Sequence, residues 1–197
     1  MKRLFDIIFS FVGLAIFSPF ILIISLIIKL NDSGPIFYMA SRVGLNGKLF
    51  RMFKFRTMVV NADKIGASST TNSDPRITGI GGFLRKYKLD EIPQLINVFT
   101  GEMSIVGPRP EVKYFTDMFT EEEKAILSVK PGITDWASVW NSDEGKILEG
   151  ADDPDKAYMK LIWPEKKRLQ LKYVNDHSFF TDIKIIFLTL RAVLFKN

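Results

Sequence analysis

The chain contains no cysteine and a single histidine, His177, in 197 residues. Without cysteine there is no disulfide, no thiolate nucleophile and no Cys-ligated zinc or iron–sulfur site. With one histidine there is no multi-histidine metal site, and a Ser-His-Asp triad would hang on that residue alone. Absent cysteine also fits a reducing compartment. Acid is missing locally: Ser33 to Ala62 carries none, against five bases, Arg42, Lys48, Arg51, Lys54 and Arg56. No Walker or dinucleotide fingerprint, nucleic-acid module, internal repeat or low-complexity tract is present. Any chemistry therefore rests on carboxylates, Lys and Arg, and a hard cation that needs neither Cys nor His.

What the chain does have is apolar surface. Hydrophobic residues make up 47%, with 17 Phe, beside 25% charged residues, so the apolar residues must be unevenly spread. From Leu4 to Ile28 the only charge is Asp6. As a helix this run is about 37 Å long, enough to cross a bilayer's hydrocarbon. It is too long for a secretory signal, and no small-residue cleavage site follows. Ser18-Pro19 lies mid-run, where Pro removes a helical hydrogen bond and kinks or breaks the helix. Bases flank both ends: Lys2 and Arg3 before, Lys29, Arg42, Lys48 and Arg51 after. The positive-inside bias thus draws both ends to the cytoplasm. A re-entrant helix–break–helix satisfies both features. A simple span stays open, because Pro is tolerated in membrane helices.

A second apolar stretch, Phe179 to Phe195, carries Asp182, Lys184 and Arg191 and does not read as a span. Phe180, Ile183, Phe187, Leu190 and Leu194 recur at helical spacing. This is either a core helix or one lying at the membrane surface with Lys184, Arg191 and Lys196 toward headgroups.

Between them, Asn31 to Pro35 is a breaker cluster that marks the membrane boundary. Pro35 to Val43 and Lys48 to Phe55 read as strands joined by Asn46-Gly47, a type I′ turn signal. Gly66 to Pro75 is a loop, and Gly79 to Gly82 a flexible helix entry. Asp90 to Phe99 reads as a helix with Asp90 near its N-cap, Pro93 in the first turn and Gly101 as terminator. Val106 to Pro110 is a rigid extended turn, and Lys130 to Thr134 another turn. Tyr114, Phe115, Met118 and Phe119 are core or membrane-facing. Thr120 to Glu123 is a capping box. Asp143 to Asp155 is acidic and irregular, and a helix spans about Pro164 to Asn175.

Asp90-Glu91 alone would be helix capping, since acids complement the N-terminal dipole. Their company suggests more. Arg85 precedes them, Arg109 sits on the Pro-braced turn, and Lys54 and Arg56 come from the basic hairpin. Two carboxylates among four cations suit phosphates and Mg²⁺.

The run DPRITGIGGFLRKYKLDEIPQLINVFTGEMSIVGPRP, Asp74 to Pro110, resembles the signature of the bacterial sugar transferases, the monotopic phosphoglycosyl transferases. KRLFDIIFSFVGLAIFSPFILI resembles their re-entrant helix with its Ser18-Pro19 membrane break, and GPIFYMASRVGLNGKLFRMFKFRTM their basic hairpin. KPGITDWASV and SFFTDIKIIFLTLRAVL resemble their last two blocks. The resemblance covers about residues 1–139 and 173–195. Where the family often has Gly-Trp-Ala-Gln, this chain has Asp135-Trp136-Ala137-Ser138. Trp140 to Glu165 matches no family pattern, so the resemblance leaves the sugar open.

The resemblance implies an α+β, mainly helical fold: a re-entrant membrane hairpin over residues 1–30, then a membrane-associated catalytic domain over residues 31–197. The latter would hold a small β-hairpin and amphipathic interfacial helices around the active site. It implies a bacterial inner-membrane enzyme on the cytoplasmic face that moves sugar-1-phosphate from a UDP-sugar to a polyprenyl phosphate, typically undecaprenyl phosphate, releasing UMP. Asp90 would be the nucleophile of a phosphosugar–aspartate intermediate. Glu91 would hold Mg²⁺ with Asp90 or deprotonate the lipid phosphate, and Lys54, Arg85 and Arg109 would bind phosphoryl oxygens. No nucleic acid is expected, and oligomeric state is not legible. The competing class is a non-catalytic basic membrane adaptor for anionic lipid or nucleic acid, which the net charge of +5 permits.

Overall fold

A computed structural model describes residues 1–31, 33–65, 69–141 and 143–194. It is mainly helical, with two small sheets. Helix α1 spans Lys2–Asn31 and carries Pro19 inside it. The expected break at Ser18-Pro19 does not end the helix. Pro19 has no N–H for the Ala15 carbonyl four residues back, and the Ser18 hydroxyl donates to that carbonyl instead, at 2.9 Å. Most of the apolar surface of α1 is exposed, including Phe9, Phe11, Ile16, Phe20, Leu22 and Leu26. Particular residues near each end are anchored on the rest of the protein. Lys2 Nζ donates to the Val106 carbonyl at 2.9 Å and pairs with Asp182 at 2.5 Å. Asp6, the lone charge of the run, is buried and accepts from Ser104 Oγ and the Ile105 N–H, both at 3.0 Å. At the other end Ile24 and Ile28 pack with Phe55 and Leu84.

Strands β1 (Phe37–Val43) and β2 (Leu49–Phe55) form an antiparallel hairpin, in register from Phe37 opposite Phe55 to Val43 opposite Leu49. The Lys48 N–H closes the turn on the Leu45 carbonyl at 3.2 Å, with Asn46 at φ 54° and Gly47 at φ 76°. Positive φ at both central positions is the type I′ turn that Asn-Gly favours.

Helix α2 (Gly79–Lys86) opens on Thr78, whose side chain accepts from the Gly81 N–H at 3.0 Å. Of the glycines at this helix entry, Gly81 is required by packing. A Cβ at Gly81 would lie 2.0 Å from the Thr57 carbonyl oxygen, so the helix can approach β2's continuation only there. Helix α3 is Gln94–Thr100, closed by Gly101 at φ 95°. It starts later than expected. Pro93 is its N-cap, and Asp90 sits in a separate 3₁₀ turn, Leu89–Glu91, so it caps nothing. Lacking an N–H, Pro93 suits a first position and makes a natural start.

Strand β3 (Ser104–Val106) pairs in parallel with β4 (Gly132–Thr134), which the sequence presents only as a turn. Three residues between breakers are too few to show alternation. Between them lie α4 (Lys113–Thr116) and the Thr120/Glu123 capping box. There the Thr120 N–H reaches Glu123 Oε2 at 3.0 Å and the Glu123 N–H reaches Thr120 Oγ1 at 3.3 Å. Phe115 and Phe119 enter an aromatic core with Tyr158 and Trp163, whereas Tyr114 and Met118 are exposed. Short helices α5 (Trp136–Trp140), α6 (Glu144–Ile147) and α7 (Pro154–Leu161) lead to α8 (Trp163–Asp176). The acidic segment is thus less irregular than its composition suggests.

Helix α9 (Phe179–Leu194) settles which way its apolar stripe faces. Phe180 is 83% exposed, Phe187 66% and Leu190 55%, while Asp182 and Ile185 are buried. The stripe therefore faces away from the core, and the core-helix reading is wrong for it. The side chain of Leu194, and Phe195 and Lys196, lie outside the described residues.

Candidate active site

The described residues line a cleft of about 1150 Å³. Lys54, Arg85, Asp90, Glu91 and Arg109 all line it. So do the apolar Phe17 and Leu95, and Ile186 and Leu190 of α9. Polar and greasy walls thus share one cavity.

Each site residue is delivered by a local feature already described. Lys54 lies near the end of β2, opposite Tyr38. Its ammonium donates to Glu91 Oε1 at 2.8 Å and lies 3.8 Å from Asp90 Oδ2. Arg109 follows β3 on the Pro-braced segment. Its Nη1 donates to Glu91 Oε2 at 3.1 Å and its Nη2 pairs with Glu91 Oε1. Glu91 is therefore gripped by a guanidinium fork and an ammonium together. Arg85, in the last turn of α2, lines the same cleft but donates to Thr57 Oγ1 at 2.9 Å and not to the dyad. Arg56 also reaches the cleft wall, with its Nε turned to the Pro35 carbonyl at 2.6 Å. Ser18 and Pro19 are on α1 and do not line the cleft.

The two carboxylates differ. Burial works to raise the Glu91 carboxyl, but Arg109 and then Lys54 outweigh it and hold the group well below the ordinary range. Glu91 in turn keeps Arg109 above its usual value. Asp90 is 6% exposed and accepts no hydrogen bond among the described residues. Burial lifts its carboxyl above the ordinary range, with Lys54 opposing and Glu91 reinforcing the rise. Asp90 is thus the carboxylate with its lone pairs uncommitted, and Glu91 the one that organises the cations.

The backbone of Arg109 is held on both sides. Its N–H donates to Asp135 Oδ2 at 3.1 Å, and its carbonyl accepts from Gln170 Nε2 at 3.1 Å. Asp135 and Gln170 are fully buried. Asp135 Oδ1 also takes the Ser138 N–H at 2.7 Å and hydroxyl at 2.8 Å, capping α5. The Asp135/Ser138 pair is therefore one device: a helix cap that also aligns Arg109.

Several cleft residues were not singled out for the site in the sequence. Lys88, Glu144 and Lys166 line the cavity, as does Arg42, which the sequence marks only as one of the hairpin's bases. Lys88 holds a left-handed backbone, φ 56° and ψ 20°, rare outside glycine and asparagine. Such strain immediately before a site is a structural signal that no motif displays. Asp135 was visible only as a departure.

Among the described residues no group of three or more His, Cys, Asp or Glu side chains could enclose a metal. Two adjacent carboxylates, one of them free of hydrogen bonds among the described residues, are the donor type a hard cation would take, with its remaining ligands from water.

Known proteins resemble this chain along its length. The model of the family described as bacterial sugar transferase matches residues 1–196. A UDP-N-acetylgalactosamine-undecaprenyl-phosphate N-acetylgalactosaminephosphotransferase of Aeromonas hydrophila is 34% identical over 98% of this chain and 44% of its own length. The UDP-glucose:undecaprenyl-phosphate glucose-1-phosphate transferase of Escherichia coli (strain K12) is 38% identical over 96% of this chain and 39% of its own. The uncharacterized sugar transferase EpsL of Bacillus subtilis (strain 168) is 37% identical over 98% of this chain and 87% of its own. The chain thus spans less than half the length of the first two relatives and most of the third. With a family match from end to end on top of the acidic dyad and its cations, the chain belongs to the bacterial sugar transferase family.

Proposed function

We propose that the protein transfers sugar-1-phosphate from a UDP-sugar to a polyprenyl phosphate such as undecaprenyl phosphate, by way of Asp90. The carrying observation is the division of labour in the dyad: Glu91 is bound by Arg109 and Lys54, while Asp90 beside it is buried and free of hydrogen bonds among the described residues. An Asp90 oxygen attacks the sugar-proximal phosphorus, the bond to the UMP oxygen breaks, and UMP leaves with that electron pair. An oxygen of the lipid phosphate then attacks the same phosphorus and the Asp90–phosphorus bond breaks. The products are polyprenyl diphosphosugar and a restored carboxylate.

Lys54 and Arg109, fixed by Glu91, and Arg85, fixed by Thr57, face the phosphoryl oxygens whose charge they offset. Glu91 is a poor base, because a proton on it would displace two cations. Its better-supported role is to position them. Mg²⁺ would be held by Asp90 and, with a change of partners, Glu91. When bound it supplies neutralisation of diphosphate charge.

The apolar walls from α1 and α9 suit a lipid acceptor whose phosphate must meet a soluble donor. The outward stripe of α9 supports a surface-lying helix. The contacts at both ends of α1 support a re-entrant segment of residues 1–30 under a domain of residues 31–197, on the cytoplasmic face of the inner membrane.

UMP release from a UDP-sugar, dependent on polyprenyl phosphate and Mg²⁺, tests the reaction. Asp90→Asn should abolish it. Full turnover by that variant would sink the covalent route.

A further inference from the structure

One cleft wall is charged yet makes no contact with the dyad. Lys166 is buried, and its ammonium contacts Glu111 Oε1 at 2.7 Å, Glu144 Oε1 at 3.0 Å and the Tyr158 hydroxyl at 3.0 Å. Tyr158 donates to Glu111 Oε1 at 3.2 Å, which closes the network. Glu111 alone would neutralise Lys166. Glu144 is a second carboxylate whose side chain is 39% exposed, onto the cleft. Its Oε2 accepts no hydrogen bond among the described residues. Burial opposes its charge, but Lys166 and then Arg109 outweigh that and keep it below the ordinary range. Near it on the same wall, Asn141 uses Oδ1 to accept the Asp143 N–H at 3.0 Å, while its Nδ2 is buried with no partner among the described residues. The segment itself is pinned, since Asn72 Nδ2 donates to Asp143 Oδ1 at 3.1 Å.

A fixed carboxylate oxygen thus faces a cavity whose other charged wall suits phosphate, and the unpartnered Asn141 amide, closed to solvent, lies in the same wall. An anion would be repelled by Glu144, and a cation would compete with Lys166 and Arg109. A hydroxyl, which donates and accepts at once, satisfies both groups, and so does a secondary amide. Leaving them unmatched is costly, which turns the pair into a discriminator. Resting on the transferase reading above, we propose that Glu144 and Asn141 form the subsite that reads hydroxyl or acylamino groups on a sugar ring of the donor. Lys166 is a positioning residue that fixes Glu144. The ring is the transferred hexose or the ribose, and the test separates them.

The full-length protein with polyprenyl phosphate is assayed by UMP release with UDP-glucose, UDP-galactose and their N-acetylhexosamine counterparts, and UMP inhibition is measured in parallel. Glu144→Gln keeps an oxygen for Lys166, so the fold is retained, and Asn141→Ala provides a second variant. On the best wild-type donor each should lower kcat/KM about ten- to hundredfold, mainly through KM. Reading of the hexose also shrinks the preference between C4 epimers and leaves UMP inhibition unchanged. Reading of the ribose weakens UMP inhibition by a similar factor and preserves the epimer ratio. An active wild type, with both variants within twofold of it in donor ranking and UMP inhibition, overturns this inference alone. No UMP from any donor with the wild type overturns the transferase reading and this subsite with it.

Discussion

Asp90 and Glu91 are neighbours in sequence with opposite displacements, which makes them testable by pH. The nucleophile must be ionised, so the acid limb of kcat/KM follows the Asp90 carboxyl. Burial has already moved that group upward, and Lys54 restrains it. Lys54→Met should therefore move the acid limb to higher pH as well as lowering the rate. Glu91→Gln should move it to lower pH, because the adjacent negative charge is one of the groups raising Asp90. Limbs that stay put in both variants would mean that the limb reports some other group. Asp135 offers a second residue-scale test. Asp135→Ala strips acceptors from the Arg109 and Ser138 N–H groups, at a cost of about 1–3 kcal/mol per orphaned group. If Arg109 slips by about 1 Å, kcat should fall about a hundredfold. Asp135→Asn keeps an oxygen for one of the two and should recover part of kcat with KM little changed. Equal kcat in all three proteins would leave Asp135 as a helix cap alone.

At the scale of elements, what was legible was local. The Asn46-Gly47 hairpin, the Thr120/Glu123 box, the Gly101 stop and the Pro164–Asn175 helix all follow from turn and cap chemistry contained in a few residues. What was not legible needed a partner from elsewhere. Strand β4 exists because β3 lies beside it, and Gly81 is glycine because Thr57 presses on it. Helical spacing revealed the stripe on α9 but not its direction, because a periodic pattern looks the same whether a core or a membrane covers it. The site divides likewise. The dyad and Lys54, Arg85 and Arg109 were readable as charges in company, whereas Glu144 and Lys166 lie among ordinary surface-type residues far along the chain. The outward stripe makes a prediction of its own. Phe187→Asp should sharply reduce binding to anionic vesicles, since the side chain is 66% exposed in the protein alone. It should leave the thermal midpoint in detergent within about 2 °C, as exposed substitutions usually change stability by no more than about 0.5 kcal/mol. A collapse in stability would instead indicate that Phe187 packs against protein.

For the whole molecule the deciding feature is how α1 lies on the rest. A 30-residue helix is about 45 Å long, and a bilayer's hydrocarbon is about 30 Å thick. A helix crossing it would hold its ends apart by that thickness. Here Lys2 and Asp6 bond to Asp182, Val106, Ser104 and Ile105, Gly13 abuts Leu95 midway, and Ile28 packs on Phe55 and Leu84. One folded body thus touches α1 near both ends and between them. That body is polar enough, with its ionic cleft, to stay out of hydrocarbon, so the proposed re-entrant placement puts both ends of α1 on its side of the membrane. The absence of cysteine makes the test clean, because an introduced thiol is the only one present. One variant carries a cysteine ahead of Met1 and another carries Lys48→Cys, on the exposed hairpin turn. In sealed inner-membrane vesicles of known orientation, a membrane-impermeant maleimide should label both from the cytoplasmic side and neither from the other. Labelling of the two sites from opposite sides would make α1 a span. The contacts at Lys2 and Asp6 would then have to break in the membrane, leaving Asp6 uncompensated within the apolar run.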